Sequence, residues 1–151
     1  MRTCRVAPIL FLLFAASLPG CYRSLKDYPV KDGPEKEAKN LLLTFEKAYN
    51  DKDLDSLTAC FDAFPILEVD IPGILPPGEM VGKEEVEVAL SLAMKRFPKI
   101  ILGEPTVFLT LDSGNKAVME VISRFEDNAY PIKFSMMRHT GGWVIKKMVI
   151  Y

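Results

Sequence analysis

The residues with chemistry to offer are few and far apart. Asp70 stands in Glu68-Val69-Asp70-Ile71-Pro72-Gly73, a carboxylate in an apolar run, and is the one weak catalytic candidate, as a general base. The plainer reading of the same residue is a turn cap or a solvated strand-end charge. His139 is the only histidine and sits beside Thr140-Gly141-Gly142, where an exposed turn residue fits better than a ligand. One histidine and no spaced thiols leave no metal-ligand cluster to build, and no cofactor is expected. Phe45 and Tyr49, four residues apart, join Asp70 as pocket candidates, although such aromatics are more often core. Cysteines stand at positions 4, 21 and 60, and Cys60 beside Phe61 reads as a small buried apolar residue.

These residues must be placed by elements that the sequence announces in order. Asp32-Gly33-Pro34 offers a capping residue and a first-turn proline, and Glu35 and Glu37 put negative charge at the positive end of the helix dipole. Apolar residues then recur at Ala38, Leu41, Leu42, Phe45, Ala48 and Tyr49, one face of an amphipathic helix. Asn50-Asp51-Lys52 interrupts it, and Asp53 caps a shorter helix with Leu54, Leu57 and Phe61 on its face. Phe64 to Ile71 reads as a strand. Pro72 to Gly78 holds three prolines and two glycines in seven positions and is read as irregular. A third helix follows Gly82, with Val86, Ala89, Leu90, Ala93, Met94 and Phe97 on one face, and ends at Pro98. The last third predicts strands at Lys99 to Leu111, Lys116 to Phe125, Tyr130 to His139 and Trp143 to Tyr151.

With 151 residues the chain suffices for one domain with a sizeable core. Its first twenty residues are not expected to belong to that domain. Arg2 and Arg5 precede an apolar run from Val6 to Leu18, too short to span a bilayer and patterned as a secretory signal peptide. Leu18-Pro19-Gly20-Cys21 then resembles the lipobox of bacterial lipoproteins, with Pro19 departing from the usual small or branched residue. The resemblance implies cleavage after Gly20, lipid (palmitate-type acylation) on Cys21, and membrane anchoring in the cell envelope. Tyr22 is not the aspartate of inner-membrane lipoproteins, so the outer membrane facing the periplasm is expected in a Gram-negative cell. Residues 21–33 mix charge, Pro and Gly and read as a tether. Losing Arg2 and Arg5 from 19 basic residues leaves 17 against 20 acidic, a formal charge of −3. No basic stripe interleaved with aromatics is present, so no nucleic-acid partner is expected.

Three helices followed by a meander, with the segment Phe45 to Asp55 and the closing Gly142-Trp143-Val144-Ile145, resemble the nuclear transport factor two-like superfamily over residues 34–151. The resemblance implies an α+β fold in which three N-terminal helices pack on a curved antiparallel sheet to make a cone whose mouth holds a ligand or active site. Measured against the superfamily's ketosteroid isomerases, Asp70 falls near the general-base aspartate. Phe45 stands where they have a tyrosine, and no aspartate answers the third position on the strand with Pro131 to Ser135. Without donors for a developing enolate oxygen, that chemistry is not expected. The expected function is a lipid-anchored, non-catalytic module that binds a small apolar molecule or docks a partner; the alternative is an isomerase- or dehydratase-type enzyme using Asp70. A homodimer through the sheet is a further expectation, from Val118, Ile122, Val144, Met148 and Ile150 alternating with polar neighbours.

Overall fold

A computed structural model describes residues 22–71 and 77–151 of the chain. The expected signal peptide, Cys21 and most of the proline-rich stretch lie outside the described residues. Helix α1 (Pro34–Asp51) and helix α2 (Leu54–Ala59) lead into strand β1 (Phe61–Val69). Strand β2 (Gly78–Val81) and helix α3 (Lys83–Arg96) follow, then β3 (Ile101–Leu102), β4 (Val107–Leu111), β5 (Lys116–Phe125), β6 (Asn128–His139) and β7 (Gly142–Ile150). The strands form one sheet in the order β2-β1-β7-β6-β5-β3, with β4 also paired to β5.

The architecture is the expected α+β one, helices packed on a curved sheet. The sheet is mixed rather than wholly antiparallel, because β1 runs parallel to β7, with Leu67 opposite Met148 and Val69 opposite Ile150. After β1 and its antiparallel partner β2, helix α3 carries the chain to the opposite edge of the sheet, so β1 lies between β2 and the last strand rather than beside β3 to β5.

Helix α1 buries Ala38, Leu42, Phe45, Ala48 and Tyr49 against the sheet, the face its spacing predicts. Its start differs in detail. Gly33 takes the cap position at φ 104°, a conformation that favours glycine, and Asp32 pairs instead with Lys36 at 2.9 Å. Asp53 caps α2 as expected, accepting from the Ser56 N–H at 3.0 Å. Phe61, placed on that helix by its spacing, belongs to β1 and is buried there.

Two departures from simple alternation decide which side chains enter the cone. In β7, Ser135 of β6 faces Lys147 while Met136 faces Ile145, so Lys146 is an extra residue in the ladder. The bulge moves Met148 and Ile150 to the concave side, whereas Val144 stays outside with Val118 and Ile122. The five residues expected to share one outer face are therefore split between two. The strand expected over Lys99 to Leu111 is likewise broken. Leu102 pairs with Ser123 and Val107 with Glu120, which leaves more residues on the β3–β4 side than on β5. Pro105, which lacks an N–H, lies in the gap.

That gap receives the segment expected to be a tether. The Tyr22 hydroxyl lies 2.8 Å from the carbonyl oxygens of both Ile101 and Ile122, which share its one proton, and Ser24 bridges Gly103. A Cβ on Gly103 would stand 2.7 Å from the Tyr22 ring, so only glycine lets the ring lie there. Burial pushes the Tyr22 hydroxyl pKa up to about 12. The Glu104 N–H donates to the Arg23 carbonyl at 2.7 Å, and Leu25, in a short 3-10 turn, is wholly buried. The correction has a plain cause: Leu25 is a lone apolar residue among charges and has no periodicity to betray it, yet it finds the core. Leu25→Ala is expected to cost about 2–5 kcal/mol in urea unfolding, as for other fully buried leucines. An unchanged midpoint would restore the tether.

Candidate functional site

Between α1, α3 and the concave side of the sheet lies a cavity of about 60 Å³. Helix α1 lines it with Phe45 and Tyr49, β1 and its continuation with Leu67, Val69 and Ile71, and α3 and its C-cap with Leu90, Ala93 and Phe97. The sheet adds Ser123, Phe125, Tyr130, Ile132, Met148 and Ile150, and Ile100 completes the wall. Phe97 makes edge contacts with Phe125 and Tyr130 at centroid distances of 5.3 and 5.7 Å. Phe45 is wholly buried and meets Phe134 at 5.5 Å and Phe61 at 6.0 Å, both edge-on.

Polar atoms are scarce in this lining. The Tyr49 hydroxyl donates to the Phe97 carbonyl at 2.8 Å, and its burial raises its pKa further above the ordinary tyrosine value. Ser123 is only 4% exposed, and neither its hydroxyl nor that of Tyr130, which lines the cavity with it, has a side-chain bond among the described residues. A trapped water needs two to four polar partners, and a lining with so few polar side chains is a poor host for it. The space therefore suits carbon. It is smaller than the roughly 150 Å³ that accommodates a benzene ring, so as it stands it takes a chain end or small group rather than a fused-ring ligand.

The wall is held by polar groups of α1. Asn50 accepts from the Ile100 N–H at 2.8 Å and donates to the Ile100 carbonyl at 2.9 Å. Glu46 accepts from the Leu102 N–H at 2.7 Å, although burial raises its pKa by opposing the charge. Lys52, which ends α1 in a left-handed conformation at φ 62°, donates to the Met94 carbonyl at 3.4 Å and to that of Pro98. The polar corner read from Asn50-Asp51-Lys52 is thus a clamp on the end of α3.

The sequence of this chain matches no family model, and no curated protein matches it. Its structure is similar to solved structures at low identity. An NTF2-like protein of unknown function from Pseudomonas putida superposes with a TM-score of 0.62 at 14% identity, covering 81% of this chain and 88% of that one. A SnoaL-like protein of unknown function from Burkholderia thailandensis gives 0.55 at 16% identity, covering 82% and 98%. A protein of unknown function with a cystatin-like fold from Nostoc punctiforme gives 0.59 at 18% identity, covering 77% and 89%. The fold is nuclear transport factor two-like. At these identities the likeness carries the fold and no activity.

Within the nuclear transport factor two-like cone, the sequence-predicted residues separate. Phe45 and Tyr49 line the cavity together, and Asp70 does not. Val69 and Ile71 take the inward positions, so Asp70 between them points out and is exposed, with its N–H donating to the Ile150 carbonyl at 2.8 Å. The strand with Pro131 to Ser135 turns Ile132 inward. Cys60 is buried, and burial pushes its thiol pKa up to about 11, so it stays protonated at neutral pH. Among the described residues no three His, Cys, Asp or Glu side chains come together as metal donors.

Ser123 was missed because a single small polar residue in a strand has no sequence signature. The partner of His139 was missed as well. Its Nε2 lies 3.2 Å from Asp62 Oδ1, and Lys146, the bulge residue, lies 2.8 Å from Asp62 Oδ2. This trio is outside the cavity, so it is a polar network on the outer surface rather than an acid–base pair aimed at a ligand. Its main effect is on Asp62, whose carboxyl the Lys146 hydrogen bond holds below the usual 3.8. A depressed carboxyl pKa stabilises the fold above the unfolded value and loses that contribution as pH falls through the folded one. Asp62→Asn is therefore expected to lower the thermal midpoint at pH 7, with the difference from wild type closing below pH 3.8. A difference that persists unchanged into acid would assign Asp62 a packing role instead.

Proposed function

We propose that the protein is a lipid-anchored cell-envelope protein whose cone binds a small apolar molecule without transforming it. One observation carries the binding half: the interior is a cavity walled mostly by carbon, with Ser123 and Tyr130 as its uncommitted hydroxyl-bearing side chains. A ligand with an aliphatic end and one hydrogen-bonding atom matches that lining. Proton abstraction beside a carbonyl requires a base and preorganised donors for the oxyanion, and losing one donor typically costs about a hundredfold or more in rate. Here the base candidate, Asp70, points away from the cavity, and Phe45 offers no hydroxyl. The anchoring half rests on the lipobox-like Leu18-Pro19-Gly20-Cys21.

The binding half is tested with dissolved xenon as a small apolar probe, followed by its NMR chemical shift and displaced by medium-chain fatty alcohols. Ala93→Leu fills the cavity from α3 and is expected to abolish alcohol competition while leaving the fold intact by circular dichroism. Equal competition in the two proteins would move the site elsewhere. An alcohol that is consumed rather than bound would make the chain an enzyme.

A second reading is self-association through the outer face, favoured by one observation: Val107, Leu109 and Leu111 of β4 are 38%, 55% and 52% exposed, with Val118 beside Leu109. In that reading Leu109→Lys shifts a sedimenting dimer to monomer at tens of micromolar; a wild-type monomer under those conditions excludes it.

A further inference from the structure

The docking of the first described residues bears on how an anchored chain would sit. Tyr22 follows Cys21 directly, and consecutive Cα atoms are about 3.8 Å apart. A free linker of a dozen residues would let the domain wander by roughly 20 Å, at about 5–6 Å times the square root of its length. The Tyr22 hydroxyl bonds, the Arg23–Glu104 backbone bond and buried Leu25 remove that freedom. The chain therefore leaves the domain at one fixed point on the edge where β3 pairs with β5.

The surface at that point has a particular composition. The Arg124 guanidinium lies 4.1 Å from the centre of the Tyr22 ring and is exposed beside it. Ile101, opposite Arg124 in the ladder, is 41% exposed. Glu104, the acidic neighbour, is paired to Arg23 at 3.7 Å. An aromatic ring, an exposed aliphatic side chain and a guanidinium are the groups that settle at a bilayer interface, the ring and the aliphatic carbon at the acyl boundary and the guanidinium on lipid phosphate.

We propose that the edge formed by Tyr22, Ile101 and Arg124 is a membrane-facing surface, lying against the phospholipid headgroup layer. The proposal rests on the reading of Cys21 as lipidated. It gives the domain one orientation: the β3 edge toward lipid, and the hairpin between β6 and β7 away from it. Position 140 in that hairpin lies beyond the Lys116 end of β5, eight residues from Arg124, or about 26 Å along the strand.

The test uses the full chain expressed with its own amino terminus in a Cys60→Ala background, purified from membranes and reconstituted in vesicles of phosphatidylethanolamine and phosphatidylglycerol. A fluorophore is placed on Ile101→Cys or on Thr140→Cys and quenched by lipids carrying a nitroxide on the headgroup. Quenching is expected to be several-fold greater at position 101 than at 140. Gly103→Ala, which drives a methyl group into the Tyr22 ring, is expected to erase most of that difference, and so is Arg124→Glu, which leaves the ring's pocket intact. Equal quenching at both positions, with mass spectrometry showing lipid on Cys21, would overturn the orientation alone. So would a labelled position 101 shielded by a second protein rather than by lipid. An unmodified Cys21 or an intact Met1 segment in the same mass spectrum would overturn the anchoring reading and the proposal together.

Discussion

The cone depends on the grip of the Asn50 side chain on Ile100. Ile100 is 7% exposed, and both its N–H and its carbonyl are satisfied by the one amide, at 2.8 and 2.9 Å. Leaving either group buried without a partner costs about 1–3 kcal/mol. Around this point Tyr49, Lys52 and Glu46 take the carbonyls of Phe97, Met94 and Pro98 and the N–H of Leu102. Helix α1 thereby does two jobs with two faces. Its apolar stripe fills the concave sheet, and its polar last turns pin the stretch where α3 ends and the sheet resumes. Phe97 and Ile100 are held as cavity wall by that second face.

The same helix limits the chemistry of the interior. The polar groups it contributes near the cavity are committed to backbone partners, and the residue that points deepest, Phe45, is locked among Phe61 and Phe134. Charged groups that the strands carry, Asp62 and Asp70 among them, fall on outward positions. What remains inside is mostly carbon, with the hydroxyl-bearing Ser123 and Tyr130 as the side chains not committed to a backbone partner. An interior of that kind selects by shape and by the cost of burying the wrong polar group rather than by charge.

Much of this was legible in the sequence wherever many residues repeat a spacing. Helices α1 and α3 and strands β5 and β6 follow their periodicity, and Phe45 and Tyr49 share the cavity because residues four apart share a helix face. The failures have physical causes of their own. The parallel pairing of β1 with β7 joins residues some eighty positions apart and leaves no local trace. The extra residue at Lys146 reverses the parity of Met148 and Ile150, which alternation alone assigns to the opposite face. The β3–β4 break exists to admit Tyr22 and Ser24, and nothing near Gly103 announces a partner so distant in sequence. Alternation through Val69, Asp70 and Ile71 turns Asp70 outward, because its two apolar neighbours take the inward positions.

The central claim, an apolar interior that receives a ligand group, is tested most directly by methyl NMR of methionine-labelled protein under xenon pressure. Met148 is 4% exposed and lines the cavity, whereas Met137, opposite Val144 and Lys116, lies on the outer face. Xenon entering the cone shifts the Met148 methyl resonance in a saturable way and leaves Met137 unmoved. A saturable shift at Met137 with Met148 silent would show that the interior is closed to ligands and that any binding happens on the outside of the sheet.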